Sequence, residues 1–219
     1  MLVPFVNVHT HKELENSSIG LQSFCIQDIS FYQQWPKSFS VGLHPWHIHK
    51  LDVRQSLKQL EYIASEPSMK AIGECGLDRA IARNFDEQYS AFIKQMKIAE
   101  AFDKPMIVHN VRAFSDFLSI LKTEKPAVPM IFHAFNGNKD ILNKLMRFNV
   151  YFSVGSDMLK PNSKAYRILP EIPLNRLLIE TDEWDGDIAE LYQQASYIRS
   201  SDVQRIKNQV YYNYKSIFV

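Results

Sequence analysis

Residues 86–109 read DEQYSAFIKQMKIAEAFDKPMIVH, and this stretch contains the repeating unit of the fold. Its first part carries apolar residues at helical spacing behind Asp86, an acidic residue suited to capping a helix. Its last part is a short continuous apolar run, Pro105–Val108, which is typical of a strand covered on both faces. The run ends at His109. A helix, a buried strand and a side chain able to bind a metal therefore follow one another.

The same pattern recurs along the chain. Eight short apolar runs, rich in β-branched and aromatic residues, are Val3–Val8, Leu21–Ile26, Phe39–Leu43, Met69–Ile72, Pro105–Val108, Val128–Phe132, Val150–Val154 and Leu177–Ile179. Stretches with helical spacing lie between the later runs, at Asp52–Ser65, Asp86–Phe102, Phe114–Lys122 and Asp140–Phe148. Continuous apolar runs predict parallel strands with helical crossovers. The sequence therefore predicts an α/β fold of the TIM-type (β/α)8-barrel class.

The connections near the start of the chain depart from this pattern. Only about a dozen residues separate the first run from the second, and the second from the third, which is near the minimum for a crossover. We therefore expect a clipped barrel whose first two helices are rudimentary or absent. The 219 residues and the 46% hydrophobic content predict one sizeable core and a single domain over residues 1–219.

Composition limits the classes of partner and compartment. The net charge is +1, so no global field marks a nucleic-acid or membrane binder, and an anionic substrate must be held locally. The apolar start, Met1–Val8, is too short for a signal peptide or a membrane span. Cys25 and Cys75 lie inside apolar runs, where a thiol behaves as a small buried hydrophobe. These features predict a cytoplasmic protein without membrane contact, and no obligate protein partner is evident.

Residues of metal-ligating type stand at or just after several runs. They are His9, His11, Glu74, His109, His133 and Asp182. The carboxyl ends of parallel barrel strands share one rim, so we expect these side chains to converge. His9 and His11 are two apart on a strand and project from the same face. Glu180 and Asp182 also share a side, and we favour Asp182 because it lies beyond the apolar run.

Six ligands are more than one catalytic ion uses, since catalytic zinc sites keep about three protein ligands and a water. The sequence therefore predicts two divalent ions, with zinc, magnesium or manganese as candidates and Glu74 in a bridging position. Such a pair activates water as a metal-bound hydroxide and attracts an anionic substrate. We predict a two-metal hydrolase of an anionic substrate, with Glu74 as the carboxylate between its ions.

Several longer motifs resemble those of the TatD family of metal-dependent deoxyribonucleases. They are Val41-Gly-Leu-His-Pro-Trp-His, Ala71-Ile-Gly-Glu-Cys-Gly-Leu-Asp78, Lys104-Pro-Met-Ile-Val-His109, Ile131-Phe-His-Ala-Phe-Asn-Gly137 and Leu177-Leu-Ile-Glu-Thr-Asp182. The resemblance implies a TIM-type barrel, two divalent ions and hydrolysis of DNA, often as an exonuclease. It implies cleavage of phosphodiester bonds with the same six ligands. Glu74 and Asp182 are then the catalytic carboxylates, and Asp182 also accepts a proton from the attacking water. Unlike the family pattern, this chain continues into Glu183-Trp-Asp-Gly-Asp187, so a rim loop is missing.

Other residues near the predicted rim are candidates for substrate contact. By resemblance and position His44 is a phosphate contact, although it could equally stabilise the turn before Pro45. Arg112 stands three residues after His109, where the family places an arginine two residues after. Arg79, Arg83 and Arg112 could clamp phosphate, although surface arginines are often only solvated. The side chains that could stack on a base, or instead fill gaps left by missing helices, are Trp46 and Trp184.

These residues lead to three hypotheses of function. The first is a TatD-like deoxyribonuclease, acting on DNA or on a small phosphate ester. The second is an amidohydrolase-type enzyme acting on a small amide, lactone or phosphate ester, although such relatives often use a modified lysine where Glu74 stands. The third is a non-catalytic metal-binding scaffold. Retention of all six ligands opposes it, because clustered polar groups are costly to bury.

Overall fold

The strands follow one another in the sheet in the same order as in the chain. The computed structural model describes residues 3–15, 17–31, 35–81 and 84–219. One sheet holds eight strands in the order β1 to β8. Their bounds are β1 Phe5–Thr10, β2 Ser18–Cys25, β3 Phe39–Gly42, β4 Met69–Asp78, β5 Met106–Val111, β6 Met130–Phe132, β7 Val150–Val154 and β8 Leu177–Ile179. The pairs β1–β2, β3–β4, β4–β5 and β7–β8 are parallel.

Helices lie between the later strands. The α-helices are α1 Val53–Ala64, α2 Phe85–Ala101, α3 Phe114–Thr123, α4 Lys139–Leu145, α5 Lys164–Ile168, α6 Ile188–Arg199 and α7 Val203–Phe218. The side chain of Asp52 caps α1 by accepting a hydrogen bond from the amide of Gln55. Across the described ranges, every helix is too short or too polar to traverse a bilayer.

The start of the chain has the reduced connections that its spacing predicted. Residues 11–15 and 17, between β1 and β2, contain no helix. Between β2 and β3 the described residues form a 3-10 helix, Ile26–Phe31, in place of an α-helix. The strand order and the helices after β3 confirm the predicted TIM-type (β/α)8 class, with its first two helices rudimentary or absent where the chain is described.

Strand β4 is longer than its apolar run predicted. The run ends at Ile72, but the strand continues to Asp78, so Glu74 lies within the strand and not after it. The backbone pairing with β5 causes the difference, because it continues through Gly76, opposite His109, to the end of β4. A strand is defined by this ladder of hydrogen bonds, and polar side chains do not interrupt it.

The chain divides into two compact units. The first unit comprises Met1–Gln22 and Phe132–Val219, and the second unit comprises Ser23–Ile131. The single domain over residues 1–219 therefore stays a prediction. In the first unit, β7 pairs with β8, and the residue Asp182 beyond β8 forms a parallel bridge with Thr10 of β1. In the second unit, β4 pairs with both β3 and β5.

The side chain of Tyr192 fastens α6 to β1 within the first unit. Its hydroxyl donates to the carbonyl oxygen of Val6 at 2.9 Å and accepts from the amide of Val6 at 3.2 Å. The side chain is fully buried, and burial raises the pKa of its hydroxyl, which therefore stays protonated as a donor. The helix is thus tied to the strand that carries His9.

Two buried glutamines on α2 hold strand ends within the second unit. The side chain of Gln95 accepts from the Leu43 amide at 2.7 Å and donates to the Leu43 carbonyl at 3.2 Å. Gln88 accepts from the Asp78 amide at 2.8 Å and donates to the Asp78 carbonyl at 3.3 Å. The two glutamines are two helical turns apart and so share one face. Each supplies the pair of hydrogen bonds that a neighbouring strand would otherwise make, and one pair lies beside His44.

The anchor of α6 gives the first prediction. Tyr192→Phe leaves the buried amide and carbonyl of Val6 without this partner, so we expect the free energy of unfolding to fall by about 1–3 kcal/mol. Urea unfolding measures the change. The matched control is Tyr197→Phe on the same helix, where the side chain is 73% exposed and stability should not change. Equal stability of the Tyr192→Phe variant and the wild type would contradict the assigned anchor.

The contact of α2 with the end of β3 gives the second prediction. Gln95→Met preserves the bulk of the side chain but removes both hydrogen bonds to Leu43, so unfolding should become easier by about 1–3 kcal/mol. The exposed neighbour Lys94 provides the control as Lys94→Met, which should behave as wild type. A Gln95→Met protein with wild-type resistance to urea would show that the backbone of Leu43 does not depend on this side chain.

Candidate functional site

The second unit contains a buried group of three side chains: His44, Glu74 and His109. Each offers one ligand atom, and the three atoms lie within 4.8 Å of one another. The Glu74 Oε1 atom is 2.7 Å from His109 Nδ1 and 3.1 Å from His44 Nε2. Imidazole nitrogens and a carboxylate oxygen are ligands that divalent transition metals accept. The group therefore has a donor set that fits a metal ion.

Close approach of neighbouring strands assembles this group. Gly76 lies opposite His109 in the ladder between β4 and β5, and a β-carbon on Gly76 would stand 1.9 Å from the His109 carbonyl oxygen. At Gly42, on the other side of β4, a β-carbon would stand 2.5 Å from the Glu74 carbonyl oxygen. A larger residue at either glycine would force these strands apart. The close approach of these strands therefore requires glycine at positions 42 and 76.

The hydrogen bonds of His44 identify which of its nitrogens carries a proton. The backbone amide of Trp46 donates to His44 Nδ1 at 3.2 Å, so in the neutral imidazole the proton is on Nε2. That nitrogen is the one facing Glu74 at 3.1 Å, which is a hydrogen-bond distance. Within the group, His44 is therefore better suited to donating a hydrogen bond to an oxygen than to binding a metal ion.

Asp78 contacts the same group, although it was not among the site residues predicted from the sequence. Its carboxylate accepts from the Trp46 indole Nε1 at 2.7 Å and from the Ala80 amide at 2.8 Å, and it faces His109 Nε2 at 3.4 Å. Burial acts to raise the pKa of this carboxyl, but the hydrogen bonds from Trp46, Ala80 and His109 outweigh it and lower the pKa. The available signal was its spacing, since Asp78 is four residues after Glu74 and shares its strand face.

The first unit contains a second group, formed by His9, His133 and Asp182. Their ligand atoms also lie within 4.8 Å of one another. The Asp182 Oδ1 atom is 3.5 Å from His9 Nε2 and 3.5 Å from His11 Nε2. The ring of His9 lies 4.8 Å from that of His133, between centroids. The four residues predicted from β1, β6 and the end of β8 are therefore brought together.

The backbone holds Asp182 beside β1. The amide of Asp182 donates to the His9 carbonyl at 3.0 Å, and the amide of His11 donates to the Asp182 carbonyl at 3.2 Å. Asp182 has a φ of 54°, in the left-handed region that aspartate tolerates better than most residues. Its side chain is 35% exposed, whereas that of His9 is fully buried. Asp182 and His11 are thus accessible to water, whereas His9 and His133 are enclosed.

Glu180, the alternative to Asp182 in the sequence analysis, has a different place. It is fully buried, accepts from the Ala134 amide at 2.6 Å and has its Oε1 atom 3.6 Å from His133 Nδ1. Glu180 thus binds the backbone immediately after His133, and its carboxylate lies beside the His133 ring beyond hydrogen-bond distance of Nδ1.

The arginines predicted near the site differ in their surroundings. Arg79 makes a two-pronged contact with Asp116, at 2.7 and 2.6 Å, and lies over the ring of Phe85. Arg112 is exposed directly after β5. Arg83 lies outside the described residues. A role of Arg79 or Arg112 in phosphate binding stays a prediction, and for Arg79 it requires giving up Asp116.

Cys75 stands next to Glu74 but belongs to the packing side of β4. Its thiol is fully buried and donates to the Ile107 carbonyl at 3.7 Å. Burial, together with the nearby charge of Glu74, raises the pKa of this thiol, so the thiolate that metals prefer is disfavoured. These surroundings do not favour Cys75 as a metal ligand.

Comparison with known sequences identifies relatives of this chain. Residues 25–219 match the family model described as TatD related DNase. The uncharacterized metal-dependent hydrolase YabD of Bacillus subtilis is 34% identical over 147 residues, which are 65% of this chain and 57% of that protein. The 3'-5' ssDNA/RNA exonuclease TatD of Edwardsiella piscicida is 32% identical over 149 residues, 65% of this chain and 56% of that protein. The chain thus spans little more than half the length of these curated relatives.

Solved structures share the fold. YJJV, a TatD homologue from Escherichia coli, superposes with a TM-score of 0.84 at 21% identity, covering 100% of this chain and 99% of its own. A TatD family hydrolase from Entamoeba histolytica superposes with a TM-score of 0.77 at 17% identity, with 100% and 99% coverage. At such identities the likeness shows the fold alone, and it agrees with the TIM-type class. Because the family model matches most of its length, the chain belongs to the TatD related DNase family.

Proposed function

We propose that this protein is a metal-dependent hydrolase that cleaves phosphodiester bonds in DNA as an exonuclease, with two divalent ions. The observation that carries the proposal is the pair of histidine and carboxylate groups, one within each unit. The relative from Edwardsiella piscicida, named as an exonuclease on single-stranded DNA and RNA, supports the choice of substrate class. The ligands proposed are those predicted from the sequence, namely His9, His11, Glu74, His109, His133 and Asp182.

The donor sets agree with this assignment. The first unit offers His9, His11, His133 and Asp182, and the second unit offers Glu74 and His109. Imidazole with carboxylate suits zinc or manganese, while magnesium prefers oxygen ligands alone. Divalent ions held by these side chains would supply a nucleophile from water at neutral pH and neutralise charge on phosphate oxygens. The bridging position of Glu74 stays a prediction from the sequence.

The protein side chains have distinct tasks in the proposed reaction. Asp182 is exposed enough to accept a proton from water, as a general base. The Nε2 proton of His44 faces Glu74 at 3.1 Å, and His44 would donate it to a phosphate oxygen in place of Glu74 when Glu74 binds a metal ion. Asp78 holds the ring of His109 in orientation, and Glu180 binds the backbone next to His133. The general base, the phosphate donor and the supporting carboxylates therefore belong to different residues.

Metal content tests the proposed ligands. Protein stripped with a chelator and reloaded with Zn²⁺ or Mn²⁺ should hold about two ions per chain. His133→Asn in the first unit and His109→Asn in the second should each lose about one ion. The exposed His49 gives the control, since His49→Asn should retain wild-type content. Elemental analysis that finds no ion in the reloaded wild type, or full content in both ligand variants, would contradict the assignment.

Turnover tests the reaction and the role of Asp182. The metal-loaded protein should shorten end-labelled single-stranded DNA and stop when the metal is chelated. Asp182→Asn should lower turnover by about 10²- to 10⁴-fold at nearly wild-type thermal stability, because it removes a general base without changing side-chain size. The control is Asp185→Asn, at a carboxylate that is 97% exposed, which should remain active.

A substrate panel separates this proposal from the other hydrolase reading. It runs from oligonucleotides and simple phosphate esters to a neutral amide and a lactone. Hydrolysis of the neutral substrates without hydrolysis of any phosphate ester would favour the amidohydrolase reading. Full activity of Asp182→Asn on DNA would remove Asp182 from the mechanism while leaving the nuclease assignment intact.

A further inference from the structure

Trp46 is exposed and yet held in place beside the second unit's histidines. Its side chain is 52% exposed. Its indole Nε1 donates to the buried carboxylate of Asp78 at 2.7 Å, which fixes one edge of the ring. Exposure of a single apolar side chain needs no explanation by itself. The combination of an open surface with an anchored orientation is what sets Trp46 apart.

The described ring contacts of Trp46 are both edge contacts. The ring of His44 lies 4.8 Å away at 84°, and that of His109 lies 5.8 Å away at 78°, both as edge contacts. Among the described residues, no aromatic ring lies parallel to the indole. Because the N–H edge points inward to Asp78, the exposed surface belongs to the rest of the indole. A planar group could therefore stack there without first ordering the side chain.

The other exposed aromatics do not share this setting. In the described part of the chain they are Tyr62, Tyr197 and Tyr212, which lie on α1, α6 and α7 and contact none of the proposed ligands. Trp184, the other tryptophan considered for stacking, packs on Gly186, where a β-carbon would stand 2.1 Å from the indole. Trp46 is therefore the aromatic whose position suits contact with a substrate at the second unit's group.

We propose that Trp46 is a stacking platform for a nucleobase of the substrate. This inference rests on the proposed function, and it narrows the substrate to a phosphodiester that carries at least one base beside the scissile bond. His44 lies in the same group, and its Nε2–H, which faces Glu74 at 3.1 Å, would bind the adjoining phosphate when Glu74 binds a metal ion. Every base has a π-face, so stacking on an indole tolerates any sequence. The platform selects nucleotides over simple phosphate esters without selecting among bases.

The purely structural alternative makes a different forecast. If Trp46 served only to hold Asp78, loss of the indole N–H would matter and loss of the aromatic face would not. Trp46→Phe removes the N–H but keeps an aromatic face, while Trp46→Leu removes both. Base stacking predicts that the phenylalanine variant retains selectivity for a base. A role confined to Asp78 predicts that both variants lose activity equally on every substrate.

The test uses thymidine dinucleotide and its two analogues in which tetrahydrofuran replaces the nucleoside on one side of the phosphodiester. Each substrate has one scissile bond, so cleavage polarity does not affect the comparison. For the metal-loaded wild type, kcat/KM should be roughly tenfold higher on the dinucleotide than on one of the analogues. Relative to Trp46→Phe, which also lacks the indole N–H, Trp46→Leu should lower kcat/KM on the dinucleotide to the value on that analogue. Trp46→Phe should keep most of the preference.

The same measurements on a control variant test whether the effect is specific to Trp46. Tyr62→Leu, at an exposed aromatic of α1, should match the wild type on all three substrates. Equal hydrolysis of the three by wild type, or an equal loss on all three in Trp46→Leu, would overturn the stacking role alone. Failure of wild type to hydrolyse any of them would overturn the proposed function and this inference with it. Thermal unfolding of both Trp46 variants verifies that each is folded.

Discussion

The buried carboxylate of Glu74, between the imidazoles of His44 and His109, is the interaction on which the second unit's site depends. A carboxylate without a partner in such surroundings is too costly to bury. His109 Nδ1 at 2.7 Å and the Nε2–H of His44 at 3.1 Å are the polar neighbours of this carboxylate in place of water. They also require the strands that carry the three residues to approach closely, which the small residues Gly42 and Gly76 permit.

Around this interaction, side chains take over bonds that the backbone cannot make for itself. Gln95 pairs with the backbone of Leu43, immediately before His44, so the loop that carries His44 is fixed where the strand ends. Gln88 does the same at Asp78, which in turn faces His109. Unmet hydrogen bonds at buried strand ends would cost stability. The same contacts that stabilise the second unit therefore also orient its imidazoles.

The first unit reaches a comparable arrangement by different means. Its ladder between β1 and the end of β8 sets Asp182 directly beside His9 and His11, through backbone hydrogen bonds at 3.0 and 3.2 Å. The hydroxyl of Tyr192 on α6 also binds the backbone of the same strand β1. Glu180 is buried beside His133, and Asp182 is the partly exposed carboxylate. Backbone pairing thus leaves Glu180 buried and Asp182 partly exposed to water, although the two residues are close in sequence.

The sequence by itself determined the strands and later helices, because the spacing of apolar residues reports which faces are buried. Its six candidate ligands were found because metal-type residues stood at or after apolar runs, and the structure collects His9, His11, His133 and Asp182 in one unit and Glu74 and His109 in the other. Only the tertiary structure decided that β4 runs on to Asp78 and that Asp78, Gln88 and Gln95 are buried partners of the site. It also decided which nitrogen of His44 carries the proton and that Trp46 is anchored while exposed. The physical reason is that hydrophobic periodicity is local in sequence, whereas the partner of a buried polar group is set by whichever chain segment packs against it.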